Sequence, residues 1–359
     1  MLSRAALLAI PLCLGARTRP APTTRFIGSG DAGSTQFDLL SVTLNASDLT
    51  VDTTTLLTVP GWVMVQGDAT AFDPATSTYY VTLNNASKPG NSMYFYSSLF
   101  ALSVASSPPS VLWRHDFEPN ISMGAMVWEP NTKLLVGLCG TLLVDLRVSS
   151  FCALDPAAPS APPRVLNNFS SIGHNVSYDP DTRALDPARH AYYHRLYTAS
   201  GGEWMPDNIV TLDSINGSIR NAVYGGGPEY AGTAFDRASG QLWSGSNAPG
   251  GIDLCLVDPA TGATSPTGAW VQKESSGTNM IYAATAALDG EGAWSFVTAG
   301  FSSVPGPRFV AVDISNKDYT TDRISYMFSF RNPAVGLLAG LHLWNGEDQP
   351  RQPLQASAV

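Results

Sequence analysis

Polar side chains that could bind a ligand stand among the Gly- and Pro-rich segments of the chain. Carboxylate and amide oxygens are the ligands that Ca²⁺ prefers, and a Trp in such a segment can anchor a partner. We therefore expect a binding surface formed by Trp204, Asp207, Asn208, Glu229, Asn247 and Asn279, with His174, Asn175 and Glu274 on the same face. No Asp-x-Asp-x-Asp string accompanies them, so the spacing does not mark a calcium-binding loop.

Catalytic motifs are incomplete in the sequence. The Gly-rich residues 225–227 lack the Lys of a phosphate-binding loop, and the string Ser244-Gly-Ser-Asn-Ala lacks the final Gly of a nucleophile elbow. His190 and His194 have neither a Cys nor a third His nearby, so their spacing does not predict a metal site. We therefore assign no catalytic residue.

The first residues indicate the compartment. Arg4 precedes an apolar run over residues 5–14, and small residues follow at 15 and 16, which is the pattern of a secretory signal peptide over residues 1–16. A membrane anchor is the alternative, but a spanning helix needs about 20 apolar residues and Pro11 interrupts this run. Six Asn-x-Ser sequons follow, at Asn45, Asn85, Asn120, Asn168, Asn175 and Asn216. We expect a secreted or lumenal glycoprotein without a membrane span.

Composition excludes two classes of protein. The 359 residues are 44% apolar and 14% charged, so the chain can bury a substantial core and is not disordered. The net charge of −9 and the lack of basic clusters argue against nucleic acid as a partner.

Two kinds of hairpin alternate along the chain. In the first kind an apolar run ends in Asp or Glu and a second run follows a short turn; the turn residues stand at 73, 129, 179, 236 and 289, about 50 to 57 residues apart. In the second kind the polar turn residue stands at 45, 103, 155, 213, 258 and 313. Asp, Asn and Ser accept hydrogen bonds from the backbone that follows them, and Pro and Gly fit the turn geometry. Each unit therefore contains four strands.

Four strands in each unit of about 53 residues resemble the blades of the six-bladed β-propeller superfamily. We predict an all-β fold, a closed six-bladed β-propeller of four-stranded antiparallel blades, with the N- and C-terminal strands completing one blade. Five blades result if the hairpin near residues 340–348 does not form, and seven if residues 61–65 begin an extra strand pair. The predicted boundaries are a signal peptide at 1–16, an N-terminal extension at 17–34, the propeller at 35–348 and a C-terminal tail at 349–359.

Three cysteines remain after the predicted cleavage. Cys152 and Cys255 each stand three residues before a turn Asp, so they occupy equivalent positions two blades apart, too distant to pair. Cys139 belongs to the strand before that of Cys152, so both a Cys139–Cys152 disulfide and free thiols fit the pattern. Cys255 is expected to be a buried free thiol.

The lack of a catalytic motif favours a binding or scaffold module for a peptide, glycan or protein partner. The alternative is a calcium-dependent hydrolase of the lactonase or phosphoesterase type. The resemblance implies this alternative, because six-bladed propellers with those activities hold calcium in the central channel through Glu, Asp and Asn oxygens. The candidate ligands are Glu203, Asp207, Asn208, Asn247 and Asn279. A propeller enzyme of another kind, such as a lyase or cyclotransferase, is the third hypothesis.

Overall fold

The computed structural model describes residues 23–31, 35–45, 50–64, 69–86, 96–141, 147–169, 176–178, 182–200, 203–223, 230–236, 240–248, 251–272, 283–285, 296–300, 308–312, 327–331 and 337–343. These residues form 26 β-strands and contain no α-helix. The predicted all-β class is confirmed. In this part of the chain there is accordingly no helix with the length and apolarity needed to span a bilayer.

The strands follow one another along the chain in groups. The first two groups are β1 (Thr23–Asp31), β2 (Gln36–Asn45) and β3 (Thr50–Pro60), then β4 (Trp62–Met64), β5 (Thr70–Asp73), β6 (Thr78–Asn85), β7 (Ser97–Ser103) and β8 (Ser110–Asp116). The next two are β9 (Ser122–Glu129), β10 (Leu134–Thr141), β11 (Arg147–Leu154) and β12 (Arg164–Asn168), then β13 (Val176–Tyr178), β14 (Ala184–Asp186), β15 (Ala191–Ser200), β16 (Glu203–Asp213) and β17 (Ile219–Val223). The last are β18 (Tyr230–Asp236), β19 (Gln241–Ala248), β20 (Gly251–Val257) and β21 (Thr264–Gln272), β22 (Ala283–Thr285), β23 (Phe296–Gly300), β24 (Arg308–Val312) and β25 (Met327–Arg331), and finally β26 (Leu337–Leu343).

Most of these strands form four-stranded antiparallel sheets. Their orders are β26-β1-β2-β3, β18-β19-β20-β21 and β22-β23-β24-β25, and a similar sheet, β4-β6-β7-β8, has β5 beside β6. The strands β9 to β17 form one nine-stranded sheet with two halves, β9-β10-β11-β12 and β14-β15-β16-β17. The halves are joined because β13 pairs with both β11 and β15. The unit of four antiparallel strands predicted from the hairpins is therefore present.

The two ends of the chain share one sheet. β26 pairs with β1 in an antiparallel register that places Phe26 opposite Leu343. β1 also pairs along its length with β2, so it lies inside the sheet. This corrects the predicted N-terminal extension over residues 17–34: the sheet begins at Thr23. The segment has too many Gly residues to indicate a strand, and its pairing with β26 depends on residues at the far end of the chain.

Turn chemistry explains where most hairpins form. The Asp73 carboxylate accepts a hydrogen bond from the Ala75 N–H at 3.0 Å, and Asp258 accepts one from the Ala260 N–H at 2.9 Å. Gly262 then returns the chain with φ of +70°, a conformation that residues with a Cβ rarely adopt.

One hairpin lies elsewhere than predicted. The predicted turn residue Asp179 lies outside the described residues. The hairpin that leads into β15 turns at Asp186, whose carboxylate accepts hydrogen bonds from the N–H groups of Ala188 and Arg189. Both positions are Asp-Pro, so the local signal is the same at each. Asp186 forms the turn because β14 ends there and pairs with the start of β15.

Two inner strands are divided into short pieces. β4 and β5 both pair with β6, and β13 and β14 both pair with β15. β4 is therefore part of the same sheet as β5. It does not begin the additional sheet that would have favoured seven blades.

The apolar core lies between neighbouring sheets. Adjacent residues of a strand point to opposite faces, so Tyr79 packs in a cluster with Phe37 of β2, whereas Tyr80 packs with Met126 of β9. In the same way Tyr192 and Tyr193 of β15 belong to different clusters, one with Phe151 and one with Leu242 of β19. These sheets are buried on both faces, as layers stacked side by side require.

Three side chains on outer strands form hydrogen bonds to the turn of the next four-stranded unit. His115 Nδ1 of β8 lies 2.7 Å from the Pro159 carbonyl oxygen. Asn167 Nδ2 of β12 donates to the Gly217 carbonyl oxygen at 2.6 Å, and Asn221 Nδ2 of β17 donates to the Pro259 and Ala260 carbonyl oxygens at 2.9 and 3.0 Å. We call these contacts the turn latches.

Candidate functional site

Four of the residues predicted for the binding surface lie in strands. Trp204, Asp207 and Asn208 belong to β16, and Asn247 belongs to β19. Trp204 follows Glu203, which forms the last pair of the β15–β16 hairpin with Ser200. Asn247 precedes Ala248, which forms the last pair of the β19–β20 hairpin with Gly251. Both therefore lie at the sheet ends opposite the Asp turns. Glu229 and Asn279 lie outside the described residues, as do His174, Asn175 and Glu274.

A β-bulge explains why β16 continues through residues typical of a loop. Met205 is opposite Thr198 and Asn208 is opposite Leu196, so Pro206 and Asp207 share one partner position. Proline has no N–H to donate to a neighbouring strand and is tolerated at bulges. The Pro, Asp and Asn in this segment therefore interrupt the regular pairing without ending the strand.

Arg183 connects the inner strands of three four-stranded units. It directly precedes β14, and its Nε donates to the Met126 carbonyl oxygen of β9 at 2.7 Å. Its Nη2 donates to the carbonyl oxygen and the hydroxyl of Thr70 in β5, at 3.1 and 3.2 Å. The Thr70 hydroxyl also lies 3.1 Å from Nε2 of His342 in β26. We call Thr70, Met126, Arg183 and His342 the inner-strand cluster.

The imidazoles near Arg183 are neutral. Burial, assisted by the positive charge of Arg183, lowers the pKa of His342 to about 3. Burial also lowers the pKa of His194 to about 3, with Arg183 acting in the same direction and the hydrogen bond to the Arg195 carbonyl oxygen opposing it. At pH 7 the guanidinium therefore supplies the positive charge of the inner-strand cluster, which favours anions and repels cations.

The four residues of the inner-strand cluster do not form a site that fits a calcium ion. The oxygens of Thr70 and Met126 that could serve as ligands accept hydrogen bonds from Arg183, whose charge repels a divalent cation. Within the described ranges, no group of three or more His, Cys, Asp or Glu residues could hold a metal. The predicted ligands Glu203, Asp207, Asn208 and Asn247 are described only in their backbone.

Strand β9 accepts hydrogen bonds from the four-stranded units on both sides of its own. The Thr82 hydroxyl of β6 donates to the Met123 carbonyl oxygen at 2.8 Å, and the Tyr192 hydroxyl of β15 donates to the Ala125 carbonyl oxygen at 2.7 Å. The register of β9 shifts in this region, and Ala125 has φ of +48°, which turns its peptide out of the regular ladder. This irregularity makes the carbonyl oxygens of β9 accessible to neighbouring sheets.

The three cysteines in the described part of the chain, Cys139, Cys152 and Cys255, are buried and form no disulfide. Cys139 of β10 is opposite Ser150 and Cys152 of β11 is opposite Gly137, so the two cysteines are diagonal neighbours and not a directly opposed pair. The hydrogen bond to Cys152, together with burial, holds the pKa of the Cys139 thiol well above its usual value. Cys255 is also buried, and its thiol donates to the Ser244 carbonyl oxygen at 3.4 Å.

The inner-strand cluster could not be predicted from the sequence pattern. Its weak signals are a lone Arg next to the apolar pair Ala184-Leu185 and a lone His in the otherwise apolar strand β26. A polar residue in an apolar strand can equally be a solvent-facing side chain. Only the arrangement of sheets brings Arg183 to Thr70, which is 113 positions away.

Comparison with known proteins identifies the fold and no family. No family model matches the chain, and no curated protein matches it. TolB from Acinetobacter baumannii is similar in structure, with a TM-score of 0.56 and 10% sequence identity, over 89% of this chain and 66% of TolB. A chain in the crystal structure of a nidogen/laminin complex has a TM-score of 0.53 and 15% identity, over 89% of this chain and 98% of that chain.

Both neighbours are β-propeller-type folds, and so is this chain. At 10% and 15% identity the similarity shows the fold alone. The match covers slightly less than two thirds of the TolB chain.

Proposed function

We propose that this protein is a secreted, glycosylated six-bladed β-propeller that acts as an extracellular binding or scaffold module. The observation that carries the proposal is Arg183, which joins inner strands of different four-stranded units and gives their meeting point a positive charge. A guanidinium held in this way stabilises the fold and disfavours a catalytic cation at the same place. The partner then binds at the ends of the sheets.

Contacts between inner strands support a closed ring of six blades. β5 contacts β9, β9 contacts β14, and β14 contacts β18. β18 contacts β22, β22 contacts β26, and β26 contacts β5 again. The two halves of the nine-stranded sheet count as two four-stranded units. Each strand in this series is then the inner strand of one unit. Six units follow, with β26 and β1 in the same one.

The sheet ends with Trp204 and Asn247 are the proposed partner surface. The two hairpins that carry them belong to neighbouring units, since β14 contacts β18. Glu229 and Asn279, in segments that follow these units, complete the proposed surface. A protein, peptide or glycan is the proposed partner, because aromatic and amide side chains suit such ligands. The nidogen/laminin complex is an instance of this fold in a complex between proteins.

Secretion is proposed from the leader at residues 1–16 and from the six sequons. The proposal gives no role to nucleic acid, in agreement with the net charge of −9.

The calcium-dependent hydrolase is the alternative that an experiment must separate from a binding module. Purified protein is analysed for calcium by mass spectrometry, and its melting temperature is measured with and without a chelator. We expect no stoichiometric calcium and an unchanged melting temperature. A site filled at 100 times its Kd adds about 2.7 kcal/mol to the free energy of unfolding, so its loss is measurable. A chelator-induced fall that Asn247→Ala and Asn279→Ala abolish would establish the hydrolase-type metal site.

Binding is tested with arrays of glycans and of secreted proteins. We expect parent protein to bind at least one array member and Trp204→Ala to weaken that binding about tenfold, as loss of an aromatic anchor does. Leu112→Ala on the outer strand β8 is the control and should bind like the parent. The proposed surface is wrong if Trp204→Ala and the control bind equally well.

A further inference from the structure

Exposed apolar side chains lie beside the sequon asparagines. Among the described residues, the large apolar side chains that remain exposed are Tyr96, Val111, Leu112, Ile121, Val165 and Ile215. Ile121 and Ile215 are sequence neighbours of Asn120 and Asn216. Large exposed apolar side chains favour association when several lie close together.

Tyr96 lies directly across from Asn85. Asn84 of β6 is opposite Ser97 of β7, so the next pair is Asn85 with Tyr96. The Asn85 N–H donates to the Tyr96 carbonyl oxygen at 3.0 Å. Directly opposed residues of antiparallel strands present their side chains on the same face, so a glycan on Asn85 starts beside the Tyr96 ring.

A β-bulge brings Val165 and Asn168 to one face of β12. Val165 is opposite Cys152, and Asn168 is opposite Ser150, because the register shifts between these pairs. Cys152 and Ser150 are two residues apart on β11 and share a face. Without the bulge, side chains three positions apart would point to opposite faces of the strand.

Two of the sequons converge on one junction between units. Asn167 donates to the Gly217 carbonyl oxygen, and Gly217 packs so closely on Leu166 that a Cβ there would lie 2.6 Å from the Leu166 Cβ. Val165 and Asn168 on one strand therefore flank the turn that holds Ile215 and Asn216. Asn168 and Asn216 are both exposed.

We propose that N-linked glycans on Asn85, Asn120, Asn168 and Asn216 cover the exposed side chains of Tyr96, Ile121, Val165 and Ile215. A glycan is bulky and strongly hydrated, and the C–H faces of its first sugars can pack on an apolar side chain while its hydroxyls face water. The inference rests on the secretory part of the proposed function. It adds a role for the glycans, which is to keep these side chains out of contact with other molecules.

Val111 and Leu112 of β8 provide the internal control. They are exposed, and no sequon occurs within β8. Their contribution to surface hydrophobicity should therefore be the same with and without glycans, whereas that of the four covered side chains should appear only after deglycosylation.

The experiment uses the full chain secreted from glycosylating cells with a foreign signal peptide, so that its outcome does not depend on the native leader. Peptide mass spectrometry gives the occupancy of each sequon. Retention on a hydrophobic-interaction column is measured before and after enzymatic deglycosylation. The covered-set variant carries Ile121→Ser, Val165→Ser and Ile215→Ser, which preserve every sequon. The control variant carries Val111→Ser and Leu112→Ser. Melting temperatures verify folding, and Ile215→Ser alone replaces the covered-set variant if that variant is unstable.

We expect the four sites to be occupied and deglycosylation to increase the retention of parent and control variant equally. The increase should be less than half as large for the covered-set variant. Unoccupied sites in secreted protein, or equal increases for both variants, would overturn the proposal. Failure of the native leader to direct secretion, with the expected retention of the foreign-leader protein, would instead contradict the proposed function alone.

Discussion

At the scale of single residues, Arg183 links the inner strands of three four-stranded units through its side-chain hydrogen bonds. Its donors satisfy backbone carbonyl oxygens in two inner strands, and the Thr70 hydroxyl extends the network to His342. A hydrogen bond with a charged donor contributes about 1.5 to 3 kcal/mol, and a partner left unsatisfied after its removal adds a cost of similar size.

Replacement of Arg183 should therefore destabilise the protein. We expect Arg183→Met to lower the free energy of unfolding by about 2 to 4 kcal/mol, because three hydrogen bonds are lost. Arg183→Lys should lose less, since an ammonium group can serve one of the acceptors but lacks the planar fork. Urea denaturation measures both changes.

Arg189→Met is the matched control for this prediction. The Arg189 side chain is 73% exposed and its ion pair with Asp186 has an N–O distance of 3.8 Å. Such exposed pairs contribute at most about 1 kcal/mol. Equal losses for the two Arg→Met variants would contradict the role assigned to Arg183.

His194 should make the protein less stable in mild acid. The folded-state pKa is about 3, below the usual 6.5, so the unfolded chain binds more protons between these values. The stabilisation is complete above pH 6.5 and is lost as the pH falls toward 3. One such group contributes about 1.4 kcal/mol per pH unit in this range. We expect His194→Gln to reduce the fall in unfolding free energy between pH 6.5 and pH 5. Parallel pH profiles for variant and parent would refute this.

At the scale of the elements, the turn latches join successive units in a repeated way. In each, a side chain of an outer strand reaches a carbonyl oxygen in the outer turn of the next unit. Turn carbonyls have no partner in the ladder, so a side-chain donor from the neighbouring sheet can satisfy them. The latches therefore fix the distance between neighbouring sheets at their outer ends.

Removal of two latches should have additive effects. We expect Asn167→Ala, which removes one neutral hydrogen bond, to lower the free energy of unfolding by about 1 kcal/mol, and Asn221→Ala, which removes two, by about 1 to 2 kcal/mol. The double variant should lose the sum, because the latches lie at different junctions and share no partner. Arg164→Ala, at an exposed position at the start of β12, is the control. A double variant no weaker than either single one would show that the latches do not act independently.

The elements also show what the sequence could predict. Hairpins at Asp73, Asp155, Asp213 and Asp258 follow from local turn chemistry, because the Asp binds backbone two residues later. Local chemistry could not choose between Asp179 and Asp186, because both precede Pro. That choice depends on pairing with β15. Strand β1 depends in the same way on β26, more than 300 positions away.

The candidate site was less predictable than the hairpins. Trp204 and Asn247 lie in strands close to hairpin ends, and the bulge at Pro206 that keeps Asp207 in a strand has no separate sequence signal. The contact of Thr70 with His342 joins residues 272 positions apart. Turn spacing carries no information about such contacts, since they arise only when inner strands of several sheets meet.

At the scale of the whole molecule, stability depends on the pairing between the two ends of the chain. β1 is bonded to β2 on one edge and to β26 on the other. β26 also contacts β22 and β5, so it belongs to the inner strands that connect the sheets. Without β26, one edge of β1 would be left as an unpaired strand edge, which is a site of aggregation. The loss of β26 would also remove the contact between His342 and the Thr70 hydroxyl.

Truncation tests this dependence. Deletion of all residues after Ala334 removes β26, and we expect a large fall in secretion and the loss of a single cooperative unfolding transition, because β1 to β3 lose their link to the inner strands. Deletion of the predicted tail after Asp348 retains β26 and is the matched control, which should be secreted and should melt like the full chain. Addition of a peptide with the sequence of residues 335–348 should partly restore the melting temperature of the shorter chain if the strand pairing alone is missing. A chain truncated after Ala334 that is secreted and melts like the control would show that the β1–β26 pairing is dispensable, and with it the proposed closure of the ring.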